Sequence, residues 1–162
     1  MDLYLVQHAK SKTKEEDPER SLSDEGYDEV EKMAAFATNI SCIEVRKIIH
    51  SGKLRAKQTA EILADKLRPI EGCEGADGLD PMAEPSIWAE KLERIDRNIM
   101  LVGHLPHLGN LAGVLLYADM ANNPINFHNS GIIKLIRNSE SRWLIDWIIA
   151  PSFFGSYAIP RS

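Results

Sequence analysis

Met1-Asp-Leu-Tyr-Leu-Val-Gln-His-Ala-Lys-Ser-Lys12 opens the chain, and its reading decides the fold. Leu3 to Val6 is a short continuous apolar run, which reads as a buried strand. The polar cluster Gln7-His8-Ala9-Lys10 stands just past its end. That is the position, beyond the carboxyl end of a strand, where open α/β sheets bind ligands. Two later stretches repeat the pattern. Val45 to His50 is a second strand that delivers Ser51-Gly52, and Asn98 to Val102 is a third that delivers Gly103-His104.

Helices fill the intervals. Leu22-Ser23-Asp24-Glu25-Gly26 is a helix start: Ser23 caps free N–H groups, and Asp24 and Glu25 suit the positive helix end. Tyr27, Val30, Ala34 and Ala37 then share one apolar face, and the helix is expected to end near Asn39. A second helix is expected from Lys53 to Leu67, with Ala56, Ala60, Leu63 and Leu67 buried. Arg55 and Thr59 lie one turn apart near its start, where free N–H groups and the helix dipole suit an anion. Pro69 to Pro85 is rich in glycine and proline and reads as a loop, with a short strand around Ile70. Ser86 to Ile95 is a third helix. Pro106 opens a fourth that runs to Tyr117, with Leu108, Leu111, Ala112 and Leu115 apolar. Asn122-Asn123-Pro124 signals a turn. Gly131 to Arg137 and Arg142 to Ile149 form a hairpin, and the tail with Phe153, Phe154 and Tyr157 is expected against the core surface. Ser11 to Arg20 is a charged loop broken by Pro18, open to two readings: a flap over the strand ends or a solvated connection.

At 162 residues, 44% hydrophobic and 27% charged, the chain is globular and reads as a single domain over residues 1–162. The net charge of −5 argues against nucleic-acid binding by general positive charge, though not against a local basic pocket. No stretch approaches the roughly 20 apolar residues of a membrane span, and the start lacks signal-peptide features. Cys42 and Cys73 are the two cysteines, without metal-ligand spacing, so the expectation is a reduced, cytoplasmic protein.

The alternation of strands and helices predicts a three-layer α/β/α sandwich around a mainly parallel, mixed sheet. Parallel strands align their carboxyl ends, so Gln7-His8, Ser51 with Arg55, and Gly103-His104 converge without sequence proximity. A neutral imidazole is a nucleophile toward phosphorus, an arginine fork holds phosphate oxygens, and a second imidazole can donate to an oxygen that gains charge. This set suits phosphoryl transfer through a phosphohistidine. His104 and His107 are three apart, but no carboxylate or cysteine completes a metal cage.

These motifs together resemble the histidine phosphatase superfamily, of phosphoglycerate mutase-like fold, and within it the short SixA-like branch of phosphohistidine phosphatases. The family's Arg-His-Gly or Arg-His-Ala stands here as Gln7-His8-Ala9. Its Ser-x-x-x-Arg-Ala-x-Gln-Thr-Ala is Ser51-Gly-Lys-Leu-Arg55-Ala-Lys-Gln-Thr59-Ala60, and its Val-Gly-His-x-Pro is Val102-Gly103-His104-Leu105-Pro106. The resemblance covers nearly the whole chain. It implies that His8 is the phosphorylated nucleophile, that Arg55 and His104 bind the phosphoryl group, and that Ser51 assists. It implies no metal and no organic cofactor. Gln7 departs from the pattern by replacing an arginine, and Lys10 is a candidate source of compensating charge. The general acid used on phosphate esters is open among Asp77, Asp80 and Glu84, and His128 is a candidate for the pocket rim. The expected substrate is a phosphohistidine on a partner protein. The alternatives are a weakened relative that binds a phosphate or phosphoprotein without turnover, or a phosphatase or mutase acting on a small phosphate ester.

Overall fold

A computed structural model describes residues 1–39, 43–123 and 125–154. Cys42, Pro124, Tyr157 and the rest of the tail lie outside the described residues. The strands are β1 (Asp2–Gln7), β2 (Lys47–His50), β3 (Cys73–Gly75), β4 (Ile99–Gly103), β5 (Ile132–Arg137) and β6 (Trp143–Ile149). The helices are α1 (Asp24–Asn39), α2 (Leu54–Leu67), α3 (Pro85–Glu93) and α4 (His107–Tyr117), and a 3-10 turn at Pro151–Phe154 follows.

The strands form one mixed α/β sheet in the order β3-β2-β4-β1-β5-β6. β1, β2, β3 and β4 run parallel, β5 runs antiparallel to β1, and β6 runs antiparallel to β5. The hairpin turn is closed by Asn138, whose Oδ1 accepts the backbone N–H groups of Glu140 (3.0 Å) and Arg142 (2.9 Å).

One face of the sheet buries Tyr4, Val6, Ile48, Met100 and Val102 under α1 and α2; the other buries Leu3, Leu5, Ile99 and Leu101 under α3 and α4. This alternation along β1 and β4 is the period-two pattern of strands covered on both faces. The α1 start forms as expected: Ser23 Oγ accepts the Gly26 N–H at 3.1 Å.

Three expectations are corrected. Tyr27 sits at the rim of α1, 37% exposed, and Met33 joins Val30, Ala34 and Ala37 on the buried face. The second strand starts at Lys47 rather than Val45, although Val45 is buried. The short strand lies at Cys73–Gly75, not around Ile70, which is 79% exposed. The reason is a turn: Gly72 N–H donates to Pro69 O, Gly72 adopts φ +76°, and Ile70 occupies the outer corner before the chain aligns with β2.

The register places the site. Gln7 pairs with Gly103, and His50 pairs with Val102. His8, Ser51 and His104 therefore leave three adjacent strands at nearly the same level.

Candidate active site

His8 is held by the backbone around it. Its N–H donates to Gly103 O (3.0 Å), and its carbonyl accepts Asn129 Nδ2 (2.7 Å) from the loop before β5. The next residue, Ala9, donates its N–H to Thr59 Oγ1 (2.9 Å), and the same hydroxyl donates to Arg55 O (2.7 Å). Thr59 is fully buried, so α2 is bolted to the β1 loop at the point where both present their functional side chains.

The imidazole of His8 has a defined tautomer. Its Nδ1 lies 2.7 Å from Ala9 O, and a carbonyl only accepts, so Nδ1 carries the proton. Nε2 then keeps its lone pair and accepts Arg55 Nε–H at 3.1 Å. Burial, helped by the charges of Arg55 and Arg20 and opposed by the bond to Ala9 O, pushes the ring's pKa down from 6.5 to about 4. His8 is thus neutral at physiological pH, with a free lone pair on Nε2.

His104 stacks obliquely beside it, with ring centroids 4.9 Å apart and planes at 57°. The ring is buried, and burial together with His8 and Arg55 lowers its pKa to about 3. Its Nε2 lies 2.6 Å from Ser51 Oγ, while Nδ1 is buried without a partner among the described residues. Nε2 and the Ser51 hydroxyl thus form one polar pair. The expected group His8, Arg55, His104 and Ser51 is brought together in one place.

Gln7 ends β1 beside this group, and its Oε1 is buried without a partner among the described residues. Lys10 does not complement the cluster. It is exposed and paired with Glu25 in the first turn of α1. The cause is the close packing of this loop on the helix, where Lys10 O accepts the Ser23 N–H (3.0 Å) and hydroxyl (3.2 Å). A Cβ on Gly26 would meet Lys10 O at 2.0 Å, so this packing requires glycine there.

Of the three candidate carboxylates, Asp80 is the one whose charge reaches Arg55, His104 and His107. It is bound to Lys53 Nζ at 2.9 Å. Asp77 offers its backbone carbonyl to Trp88 Nε1 (3.2 Å), and Glu84 precedes α3 as its N-cap. His107 is buried, and neither ring nitrogen has a partner among the described residues. His128 contacts Asn126 (3.3 Å) and lines a separate hollow of about 570 Å³ with Lys10, Glu29, Lys32 and Asn129. Asn129 and Arg20 are the groups that reading the sequence missed. No local pattern marks them, because each acts on the site from a distant loop.

Comparison with known proteins follows the same lines. No family model matches the chain. An uncharacterised protein of Picosynechococcus is 31% identical over 143 residues, covering 83% of this chain and 84% of the relative. The phosphohistidine phosphatase SixA of Escherichia coli is 23% identical over 156 residues, covering 93% of this chain and 94% of the relative. The solved structure of the protein histidine phosphatase SixA complexed with tungstate superposes with a TM-score of 0.84 at 23% identity, over 95% of this chain and 99% of that one. The fold is that of SixA and other structures of the histidine phosphatase superfamily. Other superfamily members share the fold, including an α-ribazole-5′-phosphate phosphatase structure from E. coli at TM-score 0.75 and 13% identity, covering 93% of this chain and 98% of that one. Against the superfamily pattern, this chain's site differs where Gln7 stands for arginine.

Proposed function

We propose that this protein is a phosphatase that works through a phosphohistidine on His8 and removes phosphate from a histidine of a partner protein. The observation that carries the reading is the defined tautomer of His8, with Nδ1–H on Ala9 O and the Nε2 lone pair beside Arg55 and His104. A phosphoryl group arriving at Nε2 takes over the Arg55 N–H that the lone pair now accepts. Nε2 then forms its bond to phosphorus while the substrate's N–P bond breaks. The electron pair returns to the leaving imidazole, which departs as a neutral ring when its other nitrogen already carries a proton. Arg55 neutralises the phosphoryl oxygens, and His104 Nε2, with Ser51 Oγ beside it, serves the oxygen that gains charge. Water then attacks the phosphorus of phospho-His8, the second N–P bond breaks, and inorganic phosphate leaves with His8 restored. A phosphohistidine substrate fits because its N–P bond is more labile than an ester and asks less of a general acid. The similarity to SixA supports the same substrate class.

Gln7 favours a second reading, a phosphate or phosphoprotein binder without turnover. Loss of one clamp of this kind costs roughly 2.7–4 kcal/mol in the transition state, on the order of a hundredfold or more in rate. Asp80, whose charge reaches His104, is the feature that favours a small phosphate ester instead.

The test is a single-turnover assay on a histidine-containing protein phosphorylated with phosphoramidate, with chelator present. Wild type is expected to release phosphate, His8→Ala to release none, and Gln7→Arg to release it faster. Release by His8→Ala at the wild-type rate would overturn the mechanism. Release that appears only with Gln7→Arg would establish the binder.

A further inference from the structure

The phosphoryl group is a dianion, and position 7 offers it a neutral amide. Arg20, on the loop between β1 and α1, carries a guanidinium toward the same region. Its Nη2 donates to Ser11 Oγ (3.1 Å) and its Nε to Lys12 O (3.3 Å), so two of its nitrogens are already fixed. The loop itself is built to hold this residue. Asp17 accepts the N–H groups of Arg20 on its backbone carbonyl (2.9 Å) and of Glu19 (3.0 Å) and Ser21 (2.9 Å) on its carboxylate. Arg20 takes φ +56°, a left-handed conformation that residues with a Cβ rarely adopt.

Arg20 and Arg55 line one hollow of about 510 Å³, with Lys53, Lys57, Gly52 and one carboxylate residue, Glu19. The two lysines are occupied, Lys53 by Asp80 at 2.9 Å and Lys57 by Glu61 at 3.8 Å. Neither guanidinium has a carboxylate partner among the described residues. They are close enough for the charge of Arg20 to be felt at both Arg55 and His8. Asp80 offsets part of the charge at Arg55, and an anion that bridges the two guanidinium groups relieves the rest.

We propose that Arg20 supplies the second guanidinium to the phosphoryl group, in place of the arginine that position 7 lacks. This inference rests on the reading of the cluster as a phosphoryl site. It moves the second clamp from the strand end to the loop, on the side of the α2 start. Gln7 then contributes a neutral donor, and the charge balance of the site is kept.

The experiment is calorimetric titration with tungstate of the wild type, Arg20→Gln, Arg20→Lys, Gln7→Arg and the Arg20→Gln, Gln7→Arg double variant, each checked by thermal melting. A hydrogen bond between charged groups contributes about 1.5–3 kcal/mol, so Arg20→Gln is expected to weaken tungstate about tenfold or more. Arg20→Lys, which keeps the charge without the fork, is expected to lose less. In the Gln7→Arg background the loss is expected to shrink to about threefold or less, because the restored arginine carries the oxyanion. Tungstate affinity unchanged in both Arg20→Gln and Arg20→Lys would overturn the proposal. So would an equal loss in both backgrounds, which would make Arg20 independent of position 7. Failure of the wild type to bind tungstate would overturn the phosphoryl-site reading and this inference with it. The expected binding pattern without any turnover would support the role of Arg20 and remove the catalytic reading alone.

Discussion

A single carbonyl decides which nitrogen of His8 can attack. Ala9 O fixes the proton on Nδ1, and the charges and burial around the ring keep Nε2 bare. Two-dimensional NMR of the imidazoles is therefore expected to show His8 titrating near pH 4, far below an ordinary histidine at 6.5. Arg55→Gln removes one lowering charge, so the midpoint is expected to rise, though burial holds it short of the ordinary value. A wild-type midpoint at or above 6 would contradict the arrangement. His8, Arg55, His104 and Ser51 were legible in the sequence because each follows a strand or opens a helix at a predictable place. Asn129 was not, since its bond to the His8 carbonyl spans 121 residues and has no local signature. The pairing of Lys10 with Glu25 was equally hidden, because it depends on how closely a loop lies on a helix.

At the scale of elements, the join between the β1 loop and α1 is the most sensitive place away from the chemistry. The Gly26 position has no room for a methyl group against Lys10 O. Gly26→Ala is expected to destabilise the fold by about 1–3 kcal/mol, and also to slow turnover, since the displaced loop carries His8. Urea unfolding and the single-turnover assay check the two effects separately. A stable variant with normal turnover would show that the helix can slide to make room. Strand and helix order could be read from hydrophobic periodicity, which reports burial directly. Ile70 was misplaced because an apolar residue at the corner of a proline-initiated turn looks, in sequence, like the core of a strand. Only the pairing of Ile48 with Cys73 reveals where the strand lies.

For the whole molecule, the buried histidines link stability to pH. In the folded state His8 titrates at about 4 and His104 at about 3, against 6.5 when unfolded. Between those values the unfolded chain binds protons that the folded chain does not, so stability falls as pH drops from 6.5 toward 4. Each histidine contributes at most about 1.4 kcal/mol per pH unit in that window. The lowered values of His50 and His107 act in the same direction. The urea midpoint is expected to decline between pH 7 and pH 5, and His8→Asn is expected to flatten the decline. A midpoint constant over that range would show that these rings are not held neutral.

The parallel register of β1 and β4 has a further consequence. His8 and His104 follow paired residues on neighbouring strands, and their ring centroids are 4.9 Å apart, close to the interstrand spacing of about 4.8 Å. The gap between the two rings thus matches the backbone spacing common to all sheets. It is the quantity that substitutions can adjust least. Changes in substrate choice or speed have to come from the movable borders of the gap, and Gln7, the Arg20 loop and the Asp80 loop are where this chain has room to differ.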